Sequence, residues 1–220
     1  MAFVDIQRRE VTLKLVYYGP AMSGRTTKLQ QLHRAMAGHR ESELVSLDTR
    51  DDRTLFFDLL PLKLSTVGGF TIKLKLFTVP GQVIHNTTRK IVLQGADGVA
   101  FVADSRVSET RANNESFANL RHNLEENGIA FDDIAVVIQL NKRDLPGIRS
   151  DEEVRKIQAK GREPVFTAIA IDGIGVAETF LGLASATWDR LAARYDLQNR
   201  FGIGREEILA SLKDSLGGPS

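Results

Sequence analysis

Gly19-Pro20-Ala21-Met22-Ser23-Gly24-Arg25-Thr26-Thr27 is the stretch whose reading decides the fold. Before it comes the apolar run Val11–Tyr18, which alternates and ends like a strand; after it, Leu29, Leu32 and Met36 are spaced for one face of a helix. Strand, glycine loop, helix is the context that makes a short glycine pattern a phosphate-binding loop. Successive backbone N–H groups in such a loop wrap a phosphate, and the helix N-terminus adds partial positive charge. The residues expected around the phosphates are Gly19, Ala21, Met22, Ser23, Gly24, Arg25, Thr26 and Thr27, with the Thr26 hydroxyl as a Mg²⁺ ligand at the helix start. Arginine stands at position 25, where such loops carry lysine. A glycine-rich turn ahead of a helix also arises for packing, so the loop needs support from elsewhere in the chain.

Working outward, strand-like runs fall at about Val11–Tyr18, Leu55–Leu64, Phe70–Val79, Gly98–Asp104, Ala135–Asn141 and Val165–Ala170. Helix-like stretches lie at Thr26–Met36, Arg111–Asn127, Glu152–Lys160 and Gly175–Tyr195. Only Ser65–Gly69 separates the second and third strands, and Gly68-Gly69 suits a hairpin, so that pair is expected antiparallel. The remaining alternation of strand and helix predicts a parallel sheet with helices on both faces. Ligands of such sheets bind at the carboxyl ends of the strands. Past Tyr195 the pattern breaks, and Gly204–Leu216 reads as a last amphipathic helix with Ile208, Leu209, Leu212 and Leu216 on one side. It either packs back on the domain or docks a partner. Trp188, among Phe180, Leu183, Ala184 and Leu191, is expected in the core.

Two further segments end predicted strands. Asn141-Lys142-Arg143-Asp144 closes the fifth, and an Asn/Lys/x/Asp set there suits guanine. Asp144 would accept from the N–H groups of the base, the Lys142 stem would lie along the ring, and Asn141 would tie loops together. Adenine offers Asp144 no matching donor pair, which disfavours an ATPase or kinase; the alternative is a polar turn before Pro146-Gly147. Thr78-Val79-Pro80-Gly81-Gln82 ends the third strand, with Gly81 suited to a γ-phosphate and Gln82 to an attacking water; the alternative is a Pro-Gly turn with a solvated glutamine.

The order and spacing of these segments resemble the Ras-like small GTPases, and more narrowly the bacterial MglA group of polarity and motility switches. The resemblance rests on Val16-Tyr17-Tyr18-Gly19-Pro20, Asp52-Arg53-Thr54-Leu55-Phe56-Phe57-Asp58, Thr78-Val79-Pro80-Gly81-Gln82-Val83 and Asn141-Lys142-Arg143-Asp144-Leu145-Pro146. It covers about residues 8–195. Thr78 replaces the aspartate of ordinary Ras-like proteins, as is usual in this group. The resemblance implies a three-layer α/β P-loop fold, with a mostly parallel six-stranded sheet, one antiparallel edge strand and a C-terminal helix. It implies a G domain over 1–195 and a helical extension over 196–220. It also implies GTP and GDP as ligands with Mg²⁺, and a roadblock-fold, MglB-like activating partner alongside polarity or motility effectors. By the same resemblance Thr54 would sense Mg²⁺ and the γ-phosphate and Arg53 would be an arginine finger. Gln82 would position water, and the Ala170 N–H would approach the guanine oxygen.

Two residues depart from the family's loop. Lysine is a compact point charge, whereas Arg25 must place a planar fork. Ala21 stands where the family favours glycine, and its methyl would crowd the space Gln82 or Arg53 must enter. Both fit slow hydrolysis, or an interaction protein that keeps the fold and binds nucleotide weakly.

Bulk composition sets the remaining bounds. At 220 residues the chain suits one domain that buries roughly 70% of its unfolded surface, so it needs no disulfide staples. A net charge of +1 disfavours nucleic acid or an anionic membrane as the main partner. Without cysteine there is neither a disulfide nor prenylation, and Ala2 disfavours myristoylation. No apolar run approaches the roughly 20 residues of a membrane helix, and Met1-Ala2-Phe3-Val4-Asp5 lacks an export pattern. The expectation is a cytoplasmic protein, recruited to a cell pole if it follows the family. His33, His39, His85 and His122 show no ligand spacing.

Overall fold

The computed structural model describes residues 3–36, 44–48, 56–82 and 85–217. Its elements run β1 (Phe3–Asp5), β2 (Glu10–Tyr18), α1 (Arg25–Ala35), β3 (Val45–Asp48), β4 (Phe56–Val67), β5 (Phe70–Thr78), α2 (Asn86–Leu93) and β6 (Gly98–Asp104). They continue with α3 (Thr110–Glu126), β7 (Ala135–Asn141), α4 (Asp151–Lys160), β8 (Val165–Thr167), α5 (Val176–Tyr195), α6 (Leu197–Phe201) and α7 (Arg205–Ser215).

The sheet order is β3-β4-β5-β2-β6-β7-β8, with β1 pairing β2. From β5 to β8 every neighbour pair is parallel, while β4 is antiparallel to both β5 and β3. The hairpin between β4 and β5 turns through Gly68 and Gly69, at φ +57° and +78°, which only a primed turn requires and glycine supplies without strain.

Alternation along β2 explains the three layers. Val11, Leu13, Leu15 and Tyr17 face one apolar cluster with Leu29, Leu32, Phe180 and Trp188, and Val16 and Tyr18 face another with Leu93, Phe101, Leu120 and Leu124. Helices α1 and α5 cover the first face, α3 the second. At about 25 cal/mol per Å² of apolar area, burying each of these side chains contributes roughly 1.5–3 kcal/mol toward fixing the sheet.

Three differences from the sequence reading have local causes. Among the described residues the sheet has eight strands instead of six, because β1 and β3 are three and four residues long and too short for a periodicity to register. The antiparallel β4 is consequently not the edge; β3 lies outside it. Helix α2 escaped the pattern because its buried apolar residues, Val92 and Leu93, are adjacent at its end and its start carries β-branched Thr87 and Thr88.

The C-terminal segment turns back on the domain. Leu197 and Ile203 are fully buried, Ile208 and Leu212 nearly so, and the Phe201 ring meets Phe70 edge-on at 5.4 Å. Helix α7 packs on α5 and β4, and Arg205 pairs with Asp189 of α5 at 2.7 Å. No helix among the described residues is long and apolar enough to cross a membrane.

Candidate functional site

Strands β2, β5, β6 and β7 end side by side, and the glycine loop, the Val79–Gln82 segment and the Lys142–Asp144 segment leave the sheet at that rim. The loop after β2 passes so close to its neighbours that a Cβ on Gly19 would overlap the Val102 carbonyl, and one on Gly24 the Asn141 amide. Gly24 also holds φ +98° ahead of α1. No side chain caps that helix, so the N–H groups of its first turn, from Arg25 to Thr27, keep their capacity for an anion. Ser23 is fully buried, and its hydroxyl has no hydrogen-bond partner among the described residues. An uncapped helix start with an orphaned hydroxyl beneath the loop fits a phosphate. Ala21 and Met22 are exposed at its crown.

Thr26 shows a contact absent from the sequence reading. Its hydroxyl donates to Asp58 Oδ2 at 2.9 Å, as does the Thr78 hydroxyl, while Thr78 Oγ1 accepts the Asp58 N–H at 3.0 Å. Position 78 lacks a carboxylate, and the neighbouring antiparallel strand brings one to the same place. Hard oxygens from Thr26 and Asp58 fit Mg²⁺. A signal was present: Asp58 shares the buried face of β4 with Leu60, Leu62 and Leu64, and a lone acid in an apolar register asks for a partner.

Arg25 is 8% exposed, and its fork leaves the loop for the end of β5. Nη1 donates to the Val79 carbonyl at 2.7 Å. Nη2 lies against Gly81, where an added Cβ would come within 2.6 Å of it and would also overlap Ala21. Burial, then the like charge of Arg89, push this guanidinium down to about 10, so it remains a cation at neutral pH. Gln82 is exposed beyond Gly81. Arg53 and Thr54 lie outside the described residues.

On the other side Asn141 joins three segments. Its amide Nδ2 donates to the Ser23 carbonyl at 2.8 Å, and its Oδ1 accepts the Ala170 N–H at 3.0 Å. That N–H is therefore committed to Asn141 and would meet a base oxygen only as a shared donor. Lys142, in the left-handed region at φ +63°, sends its ammonium to Asp104 Oδ2 at 2.9 Å. Arg106 holds both oxygens of the same carboxylate, at 3.1 and 2.8 Å. Burial alone would raise the Asp104 carboxyl, but hydrogen bonds from Arg106 and Lys142 outweigh it and bring it down to about 2. Asp144 is exposed at the turn that follows.

No protein-family model matches the chain. It is 46% identical over 184 residues, 84% of its own length and 94% of the relative's, to the mutual gliding-motility protein MglA of Myxococcus xanthus (strain DK1622).

The chain belongs to the MglA-like small GTPases.

In this GTPase a polar cluster also runs from the loop to α2 and α3. Arg89 is fully buried, stacks on Tyr18 with 4.4 Å to the ring centroid, and donates through Nη2 to the Gly19 carbonyl at 3.2 Å and to Ser116 Oγ at 3.0 Å. The Tyr18 hydroxyl donates to Asn119 at 2.6 Å, and Asn119 and Asn123 both donate to Asn86 of α2 at 2.9 Å. The sequence reading did not mark Arg89 or Asn86, because α2 itself left no periodic trace.

Proposed function

We propose that this MglA-like protein is a guanine-nucleotide switch that binds GTP and GDP with Mg²⁺, hydrolyses GTP slowly and acts in cell polarity or motility. One observation carries the reading: Asn141 bonds the phosphate loop at Ser23 and the Ala170 turn at once, so phosphate and base segments form one rigid seat. Gly19, Ser23, Gly24, Thr26 and Thr27 would hold the α- and β-phosphates with Arg25 near Gly81; Met22 and Ala21 would form the outer rim. Lys142, its head pinned by Asp104, would lay its stem along the base, and Asp144 would accept from the N–H groups of guanine.

Thr26, Thr54 and the Asp58 carboxylate would hold Mg²⁺, which when bound neutralises phosphate charge. Gly81 would donate to the terminal phosphate and Gln82 would orient water. Arg53 would supply a positive charge in the transition state, a contribution that can reach roughly 10³–10⁵ in rate. The Ala21 methyl against Gly81 supports slow turnover, since it crowds the segment that carries Gln82. We assign residues 1–195 to the G domain and 196–220 to a C-terminal extension, and read its residues 197–217 as a brace folded onto that domain. A roadblock-fold, MglB-like partner would activate hydrolysis, with motility effectors reading the loaded state. Placement is cytoplasmic with recruitment to a pole.

A second reading, an interaction protein with weak nucleotide binding, is favoured by the burial of Arg25 against Val79. Titration calorimetry of nucleotide-free protein with GDP and Mg²⁺, competed by ATP, separates them. Micromolar or tighter GDP binding that ATP does not displace supports the switch. Equal displacement by ATP removes the guanine assignment, and no binding leaves the interaction protein.

A further inference from the structure

Two buried guanidinium groups tie the phosphate loop to its neighbours. Arg25, from the loop, bonds the Val79 carbonyl at the end of β5. Arg89, from α2, bonds the Gly19 carbonyl of the loop. Neither is ion-paired among the described residues, and Nε of Arg25 with Nε and Nη1 of Arg89 have no hydrogen-bond partner. The like charge of Arg89 also acts on Arg25. The Asp58 carboxylate acts on Arg25 in the opposite sense, but neither guanidinium is ion-paired with it, so an anion that pairs with these buried cations is favoured. Carbonyl oxygens hold the forks in place but cancel little of their charge.

We propose that Arg25 is a selectivity residue for the triphosphate state. Its guanidinium, strapped to Val79 beside Gly81, contacts the terminal phosphate, and buried Arg89 is the positioning residue that holds the Gly19 side of that strap. This rests on the guanine-nucleotide reading above. A diphosphate ends within the loop, short of Gly81, and leaves the two charges uncompensated. A triphosphate reaches Gly81 and meets the Arg25 Nη2 edge. Lysine at position 25 has neither the second arm to bond Val79 while facing Gly81 nor the planar fork that grips phosphate oxygens in pairs. The device makes the loaded state the tighter one and couples it to Pro80-Gly81, where Gln82 begins.

Calorimetry with GDP and with a non-hydrolysable GTP analogue, both with Mg²⁺, tests this on the native chain and on Arg25→Lys and Arg89→Gln, with folding checked by thermal melting. The native chain is expected to bind the analogue about tenfold or more tightly than GDP, in line with a charge-assisted contact. Arg25→Lys is expected to lose about tenfold for the analogue with GDP changed less than about threefold, and Arg89→Gln to lose less in the same direction. A native chain that prefers GDP overturns the proposal with no variant needed, as does a parallel loss of both nucleotides in Arg25→Lys. Binding restored only by Arg25→Lys overturns it while keeping the guanine seat. Absence of binding in every folded variant overturns the guanine-nucleotide reading itself.

Discussion

The two halves of the site are built differently. On the base side Asn141 is partnered by Ser23 and Ala170, and Lys142 and Arg106 by Asp104. On the side proposed for the phosphates, Arg25, Arg89 and the Ser23 hydroxyl keep buried atoms with no hydrogen-bond partner among the described residues. On the proposed reading the base half would be set before ligand arrives, so its contribution to affinity would be the same whatever phosphate chain is attached. The other half would gain its missing partners from an anion, and so would be where the state of the nucleotide is sensed. Buried polar groups strongly favour whatever satisfies them.

The sharpest way to break this contrast is Asn141→Ala. Losing two buried hydrogen bonds strands the Ser23 carbonyl and the Ala170 N–H, and is expected to cost about 2–4 kcal/mol in urea unfolding, with affinity for GDP and GTP analogue lost equally. Unequal loss would mean the base half is not indifferent to the phosphates. Asp58→Asn acts on the other half: it keeps the size but removes the charge that Thr26 and Thr78 address. Mg²⁺ dependence of analogue binding should shift to roughly 10–100-fold higher Mg²⁺, the range seen when groups around a metal are altered. GDP affinity measured without Mg²⁺ should barely move.

The smallest effect is on pH. The Asp104 carboxyl sits at about 2, below the ordinary value of 3.8, so folding holds it deprotonated more strongly than the unfolded chain does. Its stabilising contribution is complete above pH 4 and is lost as pH falls toward 2. Acid unfolding followed by circular dichroism should show a shallower limb between those values in Asp104→Asn. An unchanged limb would show that the base half does not depend on this carboxylate.

Much of the fold was legible because its signals are local. The alternation of Val11–Tyr18, the glycines at 68 and 69 and the heptad-like spacing of Leu29, Leu32 and Met36 each report on a few neighbouring residues, and the structure has a strand, a hairpin and a helix there. The short strands Phe3–Asp5 and Val45–Asp48 were not legible, since three or four residues carry no period and are held by pairing with longer strands. In the site, Asn141 as the tie between loops was read from residue chemistry and is found as such. Asp58 was quoted only as part of a run, because its partner Thr26 is 32 positions away.

The sequence by itself determined the strand–glycine-loop–helix unit and the family, since each depends on residue types at fixed spacing along one piece of chain. Only the tertiary structure decided that Asp58 supplies the carboxylate missing at Thr78, that the Arg25 fork reaches Val79 across 54 positions, and that Arg89 reaches the Gly19 carbonyl from α2. The physical reason is distance in sequence. Side chains from separate strands meet only after sheet order and register bring their strand ends together, and no local pattern encodes that order.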